Sequence, residues 1–343
     1  MKSQRITEID GLRGVSALAV MLFHYTFVFN QNWKVGQIFH YGYMGVPMFF
    51  IISGFVIYMS LESNKTPFGF VYGRFFRLFP IYWISLIITV TAMFLMGIHL
   101  EILTWQNITI NFTMLQRFIG FKDIDGAYWT LAVELMFYLF VIIILFFNKL
   151  EKIIEIFLAI IFILLIIRLT LAIQFTEIVS LKKIMDQLRY FHLFLAGMIF
   201  YNIYKNGNSM YYFLLLCICI GLNFQAQIRF NIFVETFITL FFFLVFFMLT
   251  TKFKYFLCFL NNPILQFLGK ISYPLYLLNE MFGVSVFKFL NFYFDLPLSV
   301  EILIVSSLVI FISSLIHLFI EKPIFALIKS KHQYDKSANI FLK

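Results

Sequence analysis

Arg13 and His24 lie eleven positions apart in the first apolar segment of the chain. On an α-helix that separation is three turns, so the two side chains share a face while standing about 16 Å apart in depth. A second pair, Arg74 and Arg77, is spaced i, i+3 and projects from one side of a helix. Guanidinium forks pair bidentately with phosphate, so three arginines at one mouth of a bundle make a site for a polyanion. His24, set deeper, has the chemistry of a base. Glu134, expected at the same level, would fix its tautomer as the acid does in a Ser-His-Asp triad. Asp10, Ser53, Tyr273 and Asn279 are read as lining a substrate channel, with Ser53 and Gly54 small enough to leave room for a substrate. Glu280 belongs to the same polar set. Each residue also has a plain alternative: a flanking arginine anchors to lipid headgroups, and a deep histidine makes a packing hydrogen bond. His192 and His317 fall near opposite surfaces and read as packing or interfacial residues.

What must position these groups is a membrane bundle. With 62% hydrophobic and 13% charged residues and a mean hydropathy of +0.91, the chain would expose far too much hydrocarbon to water as a soluble domain. Runs of about 20 mostly apolar residues, the length a bilayer requires, occur near 12–30, 44–61, 76–97, 127–147, 153–173, 187–204, 210–224, 230–250, 264–289 and 299–320. The seventh is short and the ninth is interrupted by Gly269 and Pro274. The expected fold is therefore an all-α polytopic transmembrane bundle of about ten spans. It forms a single domain over 1–343, with a short cytoplasmic tail at 321–343.

Counting Lys and Arg sets the orientation. With the N-terminus inside, 17 of the 26 fall on the cytoplasmic side, so both termini are expected there. The net charge of +9 follows from this bias and from anionic lipid, and is not read as nucleic-acid binding. The short charged N-terminus leads into the first apolar run without a cleavage site, so that run is expected to remain as a span. Cys217, Cys219 and Cys258 form neither a metal-ligand spacing nor a disulfide framework. Gly-rich phosphate loops, H-E-x-x-H and G-x-S-x-G are absent. The long connection from Ile98 to Gly126 carries an apolar cluster suited to the membrane surface, and two N-x-T sequons at Asn107 and Asn111.

Taken together, the segments IDGLRGVSALAVMLFHY at 9–25, GVPMFFIISGFVI at 45–57, RFFRLFPIYW at 74–83, YWTLAVELMFYL at 128–139, ISYPLYL at 271–277 and EKP at 321–323 resemble the membrane acyltransferase-3 family, which includes bacterial cell-surface polysaccharide O-acetyltransferases. The first block, with its Arg-x10-His spacing, and the R-x-x-R block are the most specific. The resemblance implies a bundle of about ten helices in the bacterial cytoplasmic membrane. It implies an activity that moves an acyl group, acetyl in the first instance, from cytoplasmic acyl-CoA to a hydroxyl of a cell-surface glycan or lipid-linked saccharide. His24 matches the family's catalytic histidine, Arg13 its motif arginine, and Arg74 with Arg77 its paired arginines. Two positions depart from the pattern: Asn279 stands where the family usually has histidine, and Val46-Pro47 where many relatives carry an acidic residue. The extracytoplasmic esterase-like domain of some relatives is not expected, since the chain ends soon after its last span.

On this reading acyl-CoA is a co-substrate, with no tightly bound cofactor and no metal. Arg13, Arg74 and Arg77 hold its phosphates, and His24, oriented by Glu134, acts as general base. A relay through an acyl-histidine fits the same residues. The competing class is a flippase or exporter of a lipid-linked sugar, which also buries charge; against it, the sequence shows no repeated halves or paired broken helices. An interaction scaffold would leave the convergent charges unexplained.

Overall fold

The expected bundle is built from helices alone among the described residues of the structure, a computed structural model that covers 6–28, 39–62, 65–174, 188–223 and 231–328. Five helical stretches, Gly42–Leu61, Pro67–Leu95, Gly126–Phe146, Ile232–Thr250 and Leu298–Ile328, are long and apolar enough to cross a bilayer. In lipid only a helix or a closed barrel satisfies its own backbone, which is why such apolar sequence folds this way. The expected tail from 329 onward lies outside the described residues.

Helix α1 (Thr7–Phe23) carries Arg13 and ends at His24, which opens a π-helical turn, His24–Val28. Turns of this kind, with one residue more than an α turn, recur at functional sites. Helix α2 (Gly45–Leu61) follows, and then α3 (Pro67–Leu95), started by the Thr66 hydroxyl accepting from the Gly69 N–H at 3.2 Å, with Pro67 in the first turn where no N–H is needed. At 29 residues α3 is about 43 Å long, enough to span a bilayer and project beyond it.

The connection after α3 folds back on the bundle. It contains the short α4 (Trp105–Asn111), and Tyr82 and Trp83 of α3 donate to the carbonyls of Asn111 and Phe112. Asn111 is fully buried, its amide donating to the carbonyls of Asn107 and Lys122 while its oxygen accepts from the Ile124 N–H. Asn107 is buried too, so both sequons serve the loop's internal wiring and offer no acceptor to a glycosyltransferase.

Helices α5 (Trp129–Phe146), α6 (Ile153–Gln174), α7 (Phe191–Asn206), α8 (Met210–Asn223) and α9 (Ile232–Thr250) follow. The ninth apolar run is broken twice, into α10 (Pro263–Lys270), α11 (Ser272–Leu278) and α12 (Met281–Tyr293), before α13 (Leu298–Ile316). One break falls beside Gly269, as the sequence suggests. Pro274 breaks nothing: it sits in the first turn of α11, where a missing N–H is harmless. The second break is at Asn279–Glu280, a site without Gly or Pro.

Helices α2 and α7 approach most closely at Gly54 and Gly197. A Cβ on Gly54 would lie 2.1 Å from the Phe194 carbonyl oxygen, and one on Gly197 would lie 2.1 Å from that of Ile51. Gly54 therefore admits another backbone, which corrects its expected role of leaving room for a substrate; small residues at such crossings are how helices in lipid pack. Gly54→Ala is expected to force this pair apart and lower stability by about 1–3 kcal/mol, seen as a reduced thermal midpoint in detergent. Gly73→Ala on α3, whose Cβ would meet nothing within 4 Å, should leave the midpoint unchanged.

Candidate active site

Two polar cavities lie toward opposite ends of α1. The larger, about 610 Å³, is lined by His24, Tyr43, Trp129, Arg189, Glu235 and Glu280 among others. The smaller, about 100 Å³, is lined by Arg13, Ser53, Arg77, Glu134, Lys270 and Glu321 among others. Val46 and Tyr276 line both and so form the wall between them. Tyr276 is fixed there by its hydroxyl, which donates to the Ala127 carbonyl at 3.2 Å and lies 3.0 Å from the Thr130 hydroxyl.

In the larger cavity, His24 is held by the break between α11 and α12. Its Nδ1 lies 2.5 Å from Asn279 Oδ1. The Asn279 side chain cannot be turned round, because its Nδ2 donates to the carbonyl of Tyr276 at 2.6 Å and faces that of Leu275 at 3.3 Å. Oδ1 is therefore the atom presented to the imidazole, and Nδ1 must carry the hydrogen. The neutral ring then keeps its lone pair on Nε2. Glu280 Oε2 lies 3.9 Å from that atom.

The loop before α5 completes this wall. Buried Asp125 accepts the N–H of Ala127 and that of Met281, each at 2.8 Å, and so ties the start of α5 to the turn that carries Glu280. Burial and the facing Glu280 carboxylate push the Asp125 carboxyl well above the usual carboxylate range. Gly126 lies directly against Glu280, where an added Cβ would come 2.3 Å from Oε1.

Glu134 is not the partner of His24. Its Oε1 accepts from the Tyr138 hydroxyl at 2.5 Å and faces the Ser53 hydroxyl at 3.5 Å, in the small cavity with Arg13 and Arg77. His24 lines the larger cavity with Gly126, in the turn that leads into α5, eight residues and about 12 Å from Glu134. The expectation that the two share a level is corrected by about two helical turns.

The arginines also separate. Arg13 and Arg77 line the small cavity, but Arg74 turns to the Ser60 hydroxyl at 2.7 Å and over the rings of Phe70 and Tyr138, beside an apolar groove. Ser53 and Tyr273 line the small cavity, Tyr273 donating to the Leu78 carbonyl at 3.2 Å. Asp10 is buried where α1 meets α10 and lines neither cavity. His192 is buried against the Arg189 carbonyl, a packing role, and His317 bonds Glu321 within the π turn His317–Glu321.

Sequence reasoning missed Lys270, Glu321, Tyr276, Arg189, Glu235 and the position of Glu280. The only signal for Glu321 and Tyr276 was their place within the EKP and ISYPLYL segments. Chemically, one cavity gathers three cations and two carboxylates, and the other presents an oriented imidazole beside a carboxylate. Nitrogen-15 NMR of the His24 ring should report the Nδ1–H tautomer. Asn279→Ala should mix the two tautomers, and a wild-type ring protonated mainly at Nε2 would contradict the Asn279 assignment.

The chain matches the profile of the family described as "Acyltransferase domain" over residues 6–318. It is 29% identical over 155 residues to the peptidoglycan O-acetyltransferase OatA of Listeria monocytogenes, covering 39% of this chain and 23% of that protein. It is 26% identical over 163 residues to a candidate O-acetyltransferase of Staphylococcus aureus strain COL, covering 42% and 25%. A candidate acetyltransferase of Acidianus two-tailed virus is 27% identical over 135 residues, 39% of each chain. The matched segments thus span 23% to 39% of the length of these relatives. No solved structure gives a significant match.

Proposed function

The chain belongs to the membrane acyltransferase-3 family, and from that premise we propose that it moves an acyl group, acetyl in the first instance, from cytoplasmic acyl-CoA to a hydroxyl of a cell-surface glycan or lipid-linked saccharide. The observation that carries this reading is the pair of cavities set back to back across Val46 and Tyr276, cations in one and an oriented base in the other. The proposal includes a bundle of about ten spans in the bacterial cytoplasmic membrane with both termini inside, the orientation favoured by the charge bias. The cation-rich cavity then faces the cytoplasm and the His24 cavity faces outward.

Arg13 and Arg77 hold the donor's phosphates, with Lys270 at the rim, and Glu134 and Glu321 keep the arginine side chains aimed into the cavity. Arg74 supports this arrangement from the side, through the Tyr138 that binds Glu134. The pantetheine arm passes Val46 and Tyr276. His24 Nε2 takes the proton of the acceptor hydroxyl as its oxygen attacks the thioester carbonyl; the C–S bond breaks, and the thiolate recovers the proton from the imidazolium. General-base help of this kind contributes on the order of 10² to 10⁴-fold. The aromatic side chains of Tyr43 and Trp129 and the polar groups of Arg189 and Glu235 suit a sugar in the outer cavity.

The test is purified protein in proteoliposomes with radiolabelled acetyl-CoA and isolated bacterial cell envelopes, measuring base-labile acetate on the envelope. His24→Ala should abolish transfer while still binding acetyl-CoA; retained transfer would sink the assignment of the base. Arg77→Met should raise the acetyl-CoA KM at least about tenfold, roughly one charged hydrogen-bond pair. An unchanged KM would remove the donor site from this cavity. A flippase or exporter would leave the thioester intact in every sample.

A further inference from the structure

A base that takes a proton becomes a cation, and in a bundle buried in lipid that charge needs a counterion close by. In a Ser-His-Asp triad one carboxylate at Nδ1 both orients the ring and balances its charge. Here the Nδ1 partner is Asn279, a neutral amide locked in place by the carbonyls of Tyr276 and Leu275. It can orient the ring but cannot balance it. The next residue in the chain is a carboxylate, on the opposite edge of the same ring, 3.9 Å from Nε2.

We propose that Glu280 is the counterion of the His24 imidazolium, so that orientation and charge balance are divided between two consecutive residues at the break between α11 and α12. This rests on the reading of His24 as the general base. Glu280 acts through His24 and is a positioning residue: no proton reaches it, and the proton His24 takes from the hydroxyl leaves with the thiol. Glu134, the acid legible in the sequence, is occupied by Tyr138 and Ser53 in the other cavity and cannot serve. Asp125 is committed to two backbone N–H groups that hold the turn. Arg189 and Glu235 line the same cavity.

The 3.9 Å spacing suits the role. It is too long for a hydrogen bond between the resting ring and the carboxylate, yet short enough for strong attraction once the ring is charged. Gly126 sets the spacing. Its missing side chain is what lets the carboxylate lie where it does, since the three atoms nearest an added Cβ all belong to Glu280, at 2.3 to 2.8 Å. Those atoms end a flexible side chain, so Gly126→Ala is expected to move the carboxylate and leave the fold intact.

The experiment compares wild type, Glu280→Gln, Gly126→Ala and the double variant in proteoliposomes with radiolabelled acetyl-CoA and isolated cell envelopes. Each sample is first checked for acetyl-CoA binding as evidence of folding. Glu280→Gln keeps the shape and removes the charge, and should lower kcat on the order of 10²-fold, the scale of one preorganised electrostatic contact. The acetyl-CoA KM and the half-saturating amount of envelope should stay within about twofold. Gly126→Ala should lower kcat in the same way, and the double variant should be no worse than Glu280→Gln alone, because Gly126 acts through that carboxylate. A merely structural role would give additive losses in the double variant and would overturn the inference.

An active wild type, an inactive His24→Ala and a Glu280→Gln enzyme with wild-type kcat would overturn the role of Glu280 while leaving the acyl-transfer reading standing. A Glu280→Gln enzyme that instead needs far more envelope at unchanged kcat would make Glu280 an acceptor-binding residue and overturn its counterion role. Wild type that transfers no acetyl group would remove the acyl-transfer reading and this inference together.

Discussion

The hydrogen bond between His24 and Asn279 joins two irregular points of the bundle. One is the π turn that closes α1; the other is the break between α11 and α12. Backbone irregularity is costly in lipid unless buried polar groups find partners within the protein. The break meets that condition: Asn279 donates to the carbonyls behind it, and Asp125 accepts the Met281 N–H ahead of it. The same bonds that satisfy the backbone also aim the imidazole, so stability and chemistry draw on one set of contacts.

Around this point the bundle is drawn tight by backbone approaching backbone. The Gly269 position on α10 leaves no space for a Cβ beside the Asp10 carbonyl of α1, as Gly54 does between α2 and α7. Because lipid gives helices no hydrophobic reason to associate, such close contact is a main source of cohesion in a bundle this apolar. It also fixes the height of α1 relative to α10 and the broken helices that follow, and therefore the height of His24 relative to Asn279. Packing that seems remote from the chemistry sets its geometry.

Much of this was legible in the sequence, and the failures have particular causes. The all-helical class followed from the length of apolar runs, and the Arg13 and His24 ends of α1 followed from charge placed in hydrocarbon. Glu134 was misassigned because a depth count depends on where each helix begins relative to the membrane surface, and His24 lines its cavity with the turn that leads into α5. The Arg74–Arg77 pair splits because three residues on a helix leave about 60° between side chains, enough to face different cavities. The break at Asn279–Glu280 carries no Gly or Pro, so nothing local announced it, whereas Pro274, the obvious breaker, sits where proline is harmless. Gly54 was ambiguous in principle: a small residue leaves room equally for a substrate or for a neighbouring helix.

The wall formed by Val46 and Tyr276 has a consequence beyond catalysis. In the proposed orientation, the two polar cavities toward opposite ends of α1 thin the hydrocarbon barrier to the width of a few side chains. In an energised membrane the electrical potential falls mostly across the driest stretch of any such path, and each elementary charge crossing it exchanges about 2.3 kcal/mol per 100 mV. In that orientation a valine and a hydrogen-bonded tyrosine would be the insulator of the bundle. They separate two charged compartments that, joined by water, would leak ions.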